Sequence, residues 1–207
     1  DFLPDLVILD PELVTDVPIS VLKPTIADAL SHAVEGYVSN IKHPLMASFA
    51  EKSVEIIARH SGSFLETSWS LEMISDLQHA AMLAGWVQNH CVVGFSHAIA
   101  HQLGQFNIGH GVANGKLMPS VIEFNSRDDL IKNQYRELCA RANLEGIGGL
   151  KGLFDKLCDD VDISLQLTQE ELITISSGAL LDPAAKTNPR VFTEIDVREV
   201  VVDVFRN

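Results

Sequence analysis

From Pro24 to the end of the chain, apolar residues recur at three- and four-residue steps. That period matches an α-helix, and it commits most of the sequence to helices with one buried face. The spacing predicts helices at about 26–40, 45–60, 71–90, 94–103, 111–124, 127–142, 147–159, 169–178 and 194–205. Thr168 with Glu171 forms a capping-box pattern, and Thr193 with Asp196 a looser version of it. Asn125-Ser126 and Asp182-Pro183 read as breaks between helices. Only the opening differs. Asp5-Leu6-Val7-Ile8-Leu9-Asp10 is a short apolar run bounded by acids and prolines, and it reads as one strand. A lone strand is not stable as a sheet, so its natural partner is a sheet in a preceding domain. The expected fold class is mostly α: a multi-helix domain with one N-terminal strand.

Composition excludes several functions. The formal charge of −13 repels phosphate backbones, so no nucleic-acid partner is expected. No run of eighteen apolar residues exists, so no membrane span is expected. Cys91, Cys139 and Cys158 are widely spaced without a CxxC, which fits reduced thiols in a cytoplasmic protein. The chain opens at Asp1 with no initiator Met and no basic-then-apolar leader, as expected of a processed or truncated product.

The chemistry lies in the histidines. Asp28 and His32 are spaced i, i+4, which puts a carboxylate and an imidazole one turn apart on a single helix face. His97 and His101 repeat that spacing in Gly94-Phe95-Ser96-His97-Ala98-Ile99-Ala100-His101-Gln102-Leu103-Gly104. The residues between them are small and apolar, so this helix is expected to be buried, where unpartnered imidazoles are costly. His110 follows, with Gly104 and Gly111 read as a helix stop and a tight re-entry. One Asp and up to four His on packed helical elements suit a divalent first-row ion, and the absence of thiolates argues against a structural zinc site. Spacing alone does not select four ligands from the five. Read without a metal, the first pair is a surface ion pair and the second a pair of core histidines.

Four stretches resemble the C-terminal half of the iron-containing (group III) alcohol dehydrogenases. They are Leu9-Asp10-Pro11-Glu12-Leu13-Val14, Asp28-Ala29-Leu30-Ser31-His32-Ala33-Val34-Glu35, His97 through Gly104, and His110-Gly111-Val112-Ala113-Asn114 with Pro119 beyond. The tail from Asp182-Pro183-Ala184 to Asn188-Pro189-Arg190 and Thr193 resembles that family's last segment. The connection before His110 is shorter by one residue than the familiar pattern, and Gly109 stands where proline is usual; glycine flexibility is expected to absorb the difference.

The resemblance implies a dehydroquinate synthase-like fold, with Asp28, His32, His97 and His110 binding the metal, Fe2+ first and Zn2+ as the other candidate. It implies that His101 lies near the substrate and the nicotinamide as catalytic and cofactor-contacting residue without being a ligand. It also implies a hydride transfer between a small alcohol or aldehyde and NAD(P), with the metal polarising the substrate oxygen. On this reading residues 1–20 are strand and linker from an N-terminal dinucleotide-binding domain, and 21–207 form the all-helical catalytic domain. The protein is expected to form a homo-oligomer. The one glycine cluster, Gly146 to Gly152, follows a helix rather than a strand, so it reads as loop and helix start and not as a dinucleotide-phosphate turn. Hence the expectation that this chain alone binds metal but does not hold NAD(P) productively. Asn114 is offered as a polar partner of the site.

Two other functions fit the same residues. A helical metal-dependent hydrolase would need a carboxylate base, and Glu35 is the nearby candidate. A non-catalytic interaction module would use the histidines structurally. The glycerol dehydrogenase and dehydroquinate synthase types share the fold, and the Asp28/His32 pair favours the iron-type branch.

Overall fold

A computed structural model describes residues 5–205 of the chain. Among these residues the regular elements are nine α-helices and three short 3₁₀ turns. The helices are α1 (Ile19–Val38), α2 (Pro44–Arg59), α3 (Leu71–Cys91), α4 (Phe95–Leu103), α5 (His110–Asn125), α6 (Asp129–Arg141), α7 (Gly146–Leu157), α8 (Gln169–Leu181) and α9 (Glu194–Phe205).

Their ends follow capping chemistry. Thr168 and Glu171 exchange hydrogen bonds in a full capping box at the start of α8. Thr193 and Asp196 make the same reciprocal pair before α9. Asp128 accepts from two backbone N–H groups at the start of α6. The glycine cluster opens α7, with Gly146 in the left-handed region at φ +63°.

Three expectations are corrected. Residues 5–10 form no strand; they run beside α3, where Gln78 donates to the Asp10 carbonyl. No second strand lies among the described residues for this segment to pair with, and an isolated extended segment has no ladder to close. The first helix begins at Ile19 rather than near 26 and runs through Pro24. Proline there removes only one early hydrogen bond, while Lys23 beside it and Ile26 and Ala27 on the following turn are already buried. The turn before α5 is made not by glycine but by Asn107, which takes the left-handed conformation at φ 58°. Gly109 has an ordinary φ of −61° and Gly104 one of −58°, so neither supplies the expected flexibility.

Two apolar cores divide the helices. Leu30, Ile57, Leu77, Tyr135 and Phe154 belong to one core, built chiefly by α1, α2, α3, α6 and α7. Phe95, Ile99, Leu117, Ile175 and Val201 belong to the other, built by α4, α5, α8 and α9. Helix α5 serves both: Met118 and Ile122 face the first, Ala113, Leu117 and Val121 the second. The seam between α1 and α5 is tight, because a Cβ at Gly111 would run into the Pro24 carbonyl and one at Gly115 into Cys158 and Ala27. Asp28, His32, His97 and His110 sit on this seam.

Candidate metal centre

Asp28 and His32 come from one face of α1, His97 from the first turn of α4, and His110 from the first residue of α5. One donor atom from each of the four lies within 4.8 Å of the others. Asp28 is the hub. Its Oδ1 is 3.4 Å from His110 Nε2 and 3.6 Å from His97 Nε2, and its Oδ2 is 3.7 Å from His32 Nε2. Donors held at about 2.1 Å in a tetrahedron around one ion stand roughly 3.4 Å apart, so these spacings suit a shared cation. The His32 and His97 rings stack with centroids 4.8 Å apart.

Helix α4 is placed by residues distant in sequence. Its N-cap, Gly94, has no side chain to offer. Instead Glu35 of α1 accepts from Gly94 N at 2.9 Å and from Ser96 N at 2.7 Å, and Asn188 Oδ1 accepts from Phe95 N at 3.2 Å. A carboxylate at this end also suits the helix dipole. Glu35 Oε2 lies 2.6 Å from His97 Nδ1, so that nitrogen donates and Nε2 is left facing the cluster. His97 Nε2 is buried and has no hydrogen-bond partner. A buried polar atom left unpaired is costly, and an ion among these four donors would satisfy it.

The charges prepare the donors. Burial, with His97 nearby, holds His32 down at about 4, and burial likewise lowers His110, so both imidazoles are neutral at neutral pH, with the Asn114 amide 3.1 Å from His110 Nε2. Burial would lower His97 too, but the Asp28 and Glu35 carboxylates outweigh it and raise the ring to about 9. Burial would raise Asp28, but His97 and the neighbouring imidazoles of His32 and His110 outweigh it and hold the carboxyl at about 2. An ion entering this site meets one carboxylate and three imidazoles, of which one must shed a proton.

His101 stands beside the cluster rather than in it. Its side chain is 43% exposed, and its ring stacks on His110 at 5.3 Å. Its Nδ1 is 2.8 Å from Asp182 Oδ2. An imidazole oriented by a carboxylate can hold or pass a proton.

Sequence reasoning gave Asp182 no role beyond a helix break; its place before Pro183 gave no sign of a histidine partner. Ser96 was also missed. Its hydroxyl donates to Asn114 Oδ1 at 2.8 Å, and Asn114 Nδ2 donates to Asp28 Oδ1 at 2.8 Å, which seats Asn114 among the cluster's polar contacts. Glu35 is not a free base: its oxygens are occupied by two backbone N–H groups and the His97 ring, and its side chain is 1% exposed. Elsewhere, His60 pairs with Asp76, His43 caps α2, and His79 and His90 bond to carbonyls of their own helix. Phe95 packs on Phe192 and Phe124 in the core.

The sequence profile described as the Fe-containing alcohol dehydrogenase family, C-terminal, matches residues 24–205. A 1-propanol dehydrogenase of Citrobacter freundii is 31% identical, over 97% of this chain and 59% of its own length. A 1,3-propanediol dehydrogenase of Klebsiella pneumoniae is 30% identical, over 98% of this chain and 56% of its own. The crystal structure of an iron-containing alcohol dehydrogenase from Thermotoga maritima superposes with a TM-score of 0.82 at 25% identity, over 95% of this chain and 52% of that one. The chain thus spans less than two thirds of each of these relatives.

Proposed function

The chain belongs to the Fe-containing alcohol dehydrogenase family, and from that premise we propose that it is the metal-binding catalytic half of a dehydrogenase that moves hydride between a small alcohol or aldehyde and NAD(P). One observation carries this reading. Four side chains from three helices converge on one point, and the most buried of them, His97, presents a nitrogen with no protein partner.

In this reading Asp28, His32, His97 and His110 hold a divalent ion, Fe2+ or Zn2+. The ion, when bound, supplies Lewis acidity that stabilises negative charge on the substrate oxygen. The residues do the rest. Asp28 contributes the one anionic ligand, so three neutral imidazoles leave the site net positive toward that oxygen. His101, steadied by Asp182 at 2.8 Å, would hold or pass the alcohol proton at Nε2 and would lie near the nicotinamide when the cofactor is bound. Asn114 keeps the Asp28 carboxylate oriented. Residues 1–20 serve as the link to a nucleotide-binding part, and 21–207 as the catalytic domain. Kinship with the propanol and propanediol dehydrogenases supports the substrate class, and the NAD(P) cofactor and a homo-oligomeric assembly are part of the same proposal. The hydrolase alternative loses its base, because Glu35 is occupied.

Metal analysis after anaerobic loading with Fe2+ or with Zn2+ tests the proposal. One ion per chain is expected in the wild type and none in His97→Ala. An empty wild type, or equal retention by the variant, overturns it. NADH titrated into the same chain is expected to show no saturable fluorescence change; tight binding would move the cofactor site into this half.

A further inference from the structure

Asp28, His32 and Glu35 occupy positions i, i+4 and i+7 of α1, one stripe of one helix. The first two join the cluster, whereas the third reaches α4. We propose that Glu35 is the positioning residue of the metal centre, fixing His97 with its proton on Nδ1 and its Nε2 lone pair toward the ion. This rests on the metal-centre reading above and assigns a role to a residue outside the ligand set.

An imidazole with its proton on Nε2 cannot ligate through that atom. Only an acceptor at Nδ1 excludes that form, and a carboxylate has no N–H to offer in return. Glu35 Oε2 stands 2.6 Å from Nδ1 and also takes Gly94 N, while Oε1 takes Ser96 N. Capping alone does not explain this arrangement. A local Ser or Thr at position 94 would cap α4 without burying a charge, and an unpaired buried carboxylate costs several kcal/mol. Such a local cap would not reach His97 from the α1 side. Position 94 is glycine, where a Cβ would crowd Asn188 Oδ1 at 2.8 Å and Glu35 Oε1 at 3.2 Å. The backbone therefore makes room for the remote acceptor. Asn188 supplies an internal control, since it caps the same helix end through Phe95 N and forms no hydrogen bond to His97.

Glu35→Gln keeps the shape but replaces one acceptor oxygen with an NH2 group. If that group faces the ring, Nδ1 must accept and the proton moves to Nε2. Calorimetric Zn2+ titration and long-range 1H–15N spectra of the imidazoles read the two effects separately. Wild type is expected to bind Zn2+ with His97 protonated on Nδ1. Glu35→Gln should lose affinity by roughly 10- to 100-fold and, in spectra recorded above pH 9 where the ring is neutral, shift the metal-free His97 signal toward the Nε2–H form. Asn188→Ala should lose thermal stability while keeping the Nδ1–H signal and most of the affinity. A neutral wild-type ring, above pH 9, with its single proton on Nε2 overturns the proposal, even if Glu35→Gln does not fold. Equal affinity losses in Glu35→Gln and Asn188→Ala overturn it too, since capping would then suffice. In both cases the metal centre itself stands. A wild type that binds no Zn2+, or a His97→Ala variant that binds as tightly, instead removes the centre on which the proposal rests.

Discussion

Asn114 and Asp28 meet across the α1–α5 seam, the amide nitrogen donating to Oδ1 at 2.8 Å while the amide oxygen takes the Ser96 hydroxyl at 2.8 Å. One fully buried side chain thereby joins α1, α4 and α5, the three helices that carry the candidate ligands. Asn114→Ala removes both bonds and leaves the buried Ser96 hydroxyl without its closest acceptor. The expected cost is about 1–3 kcal/mol, read as a lower urea midpoint at unchanged slope. A midpoint equal to the wild type would show that the network contributes nothing.

Metal binding stabilises the folded chain by mass action. At a free Zn2+ concentration of about 100 times Kd the gain is roughly 2.7 kcal/mol. For a domain of this size that corresponds to a rise in Tm of about 5–11 °C. Differential scanning fluorimetry should record the rise in wild type, its reversal by a chelator, and no rise in His97→Ala. A rise that persists in the variant would place the ion elsewhere.

Metal affinity should climb with pH. His97 is raised to about 9 because the Asp28 and Glu35 carboxylates outweigh its burial, so its proton stabilises the metal-free fold fully below the ordinary 6.5 and that contribution fades as pH passes about 9. An ion competes for the same nitrogen. His32, held near 4, and the lowered His110 have no proton to release at neutral pH. Calorimetry in buffers of different ionisation enthalpy should therefore show about one proton released per ion bound at neutral pH, and fewer as pH nears 9. Release of two or more would contradict the neutral state of His32 and His110.

The seam tolerates no extra volume. Gly111→Ala sets a methyl against the Pro24 carbonyl and close to Asp28 Cβ. Backbone cannot yield as a flexible side chain does, so α5 must shift away from α1 and carry His110 with it. The expected destabilisation is about 1–3 kcal/mol, with weaker Zn2+ binding measured alongside. Gly148→Ala, on α7 with open space around it, is the comparison and should hold or slightly raise stability while leaving Zn2+ binding unchanged.

The helices were legible because their signals are local. Apolar spacing located all nine, and Thr168 with Glu171 marked the start of α8. The i, i+4 pairs named the side chains that meet at the seam, since neighbours on one helix face are fixed by helix geometry alone. What stayed hidden depends on contacts between distant segments. Glu35 looked like a free carboxylate because its partners begin 59 residues away at Gly94. Asp182 lies 81 residues from His101, and its neighbours advertise only a helix end. The strand expected at 5–10 failed for a related reason, because strand character needs a pairing partner that apolar content cannot supply. Asn107 took the turn assigned to glycine because Asn also tolerates the left-handed region.

Asn188 has a consequence for how the protein is born. Every candidate ligand precedes residue 188 by many residues in the chain, yet the amide that seats Phe95 at the head of α4, and the Arg190 guanidinium over Phe124 at 3.9 Å, follow them all. A nascent chain stopped after α8 would carry all four candidate ligands, but the start of α4 would be held only from the Glu35 side. The head of α4 thus gains its full set of caps only once residue 188 has been made, and a chain cut before it would keep its histidines on a less stable fold.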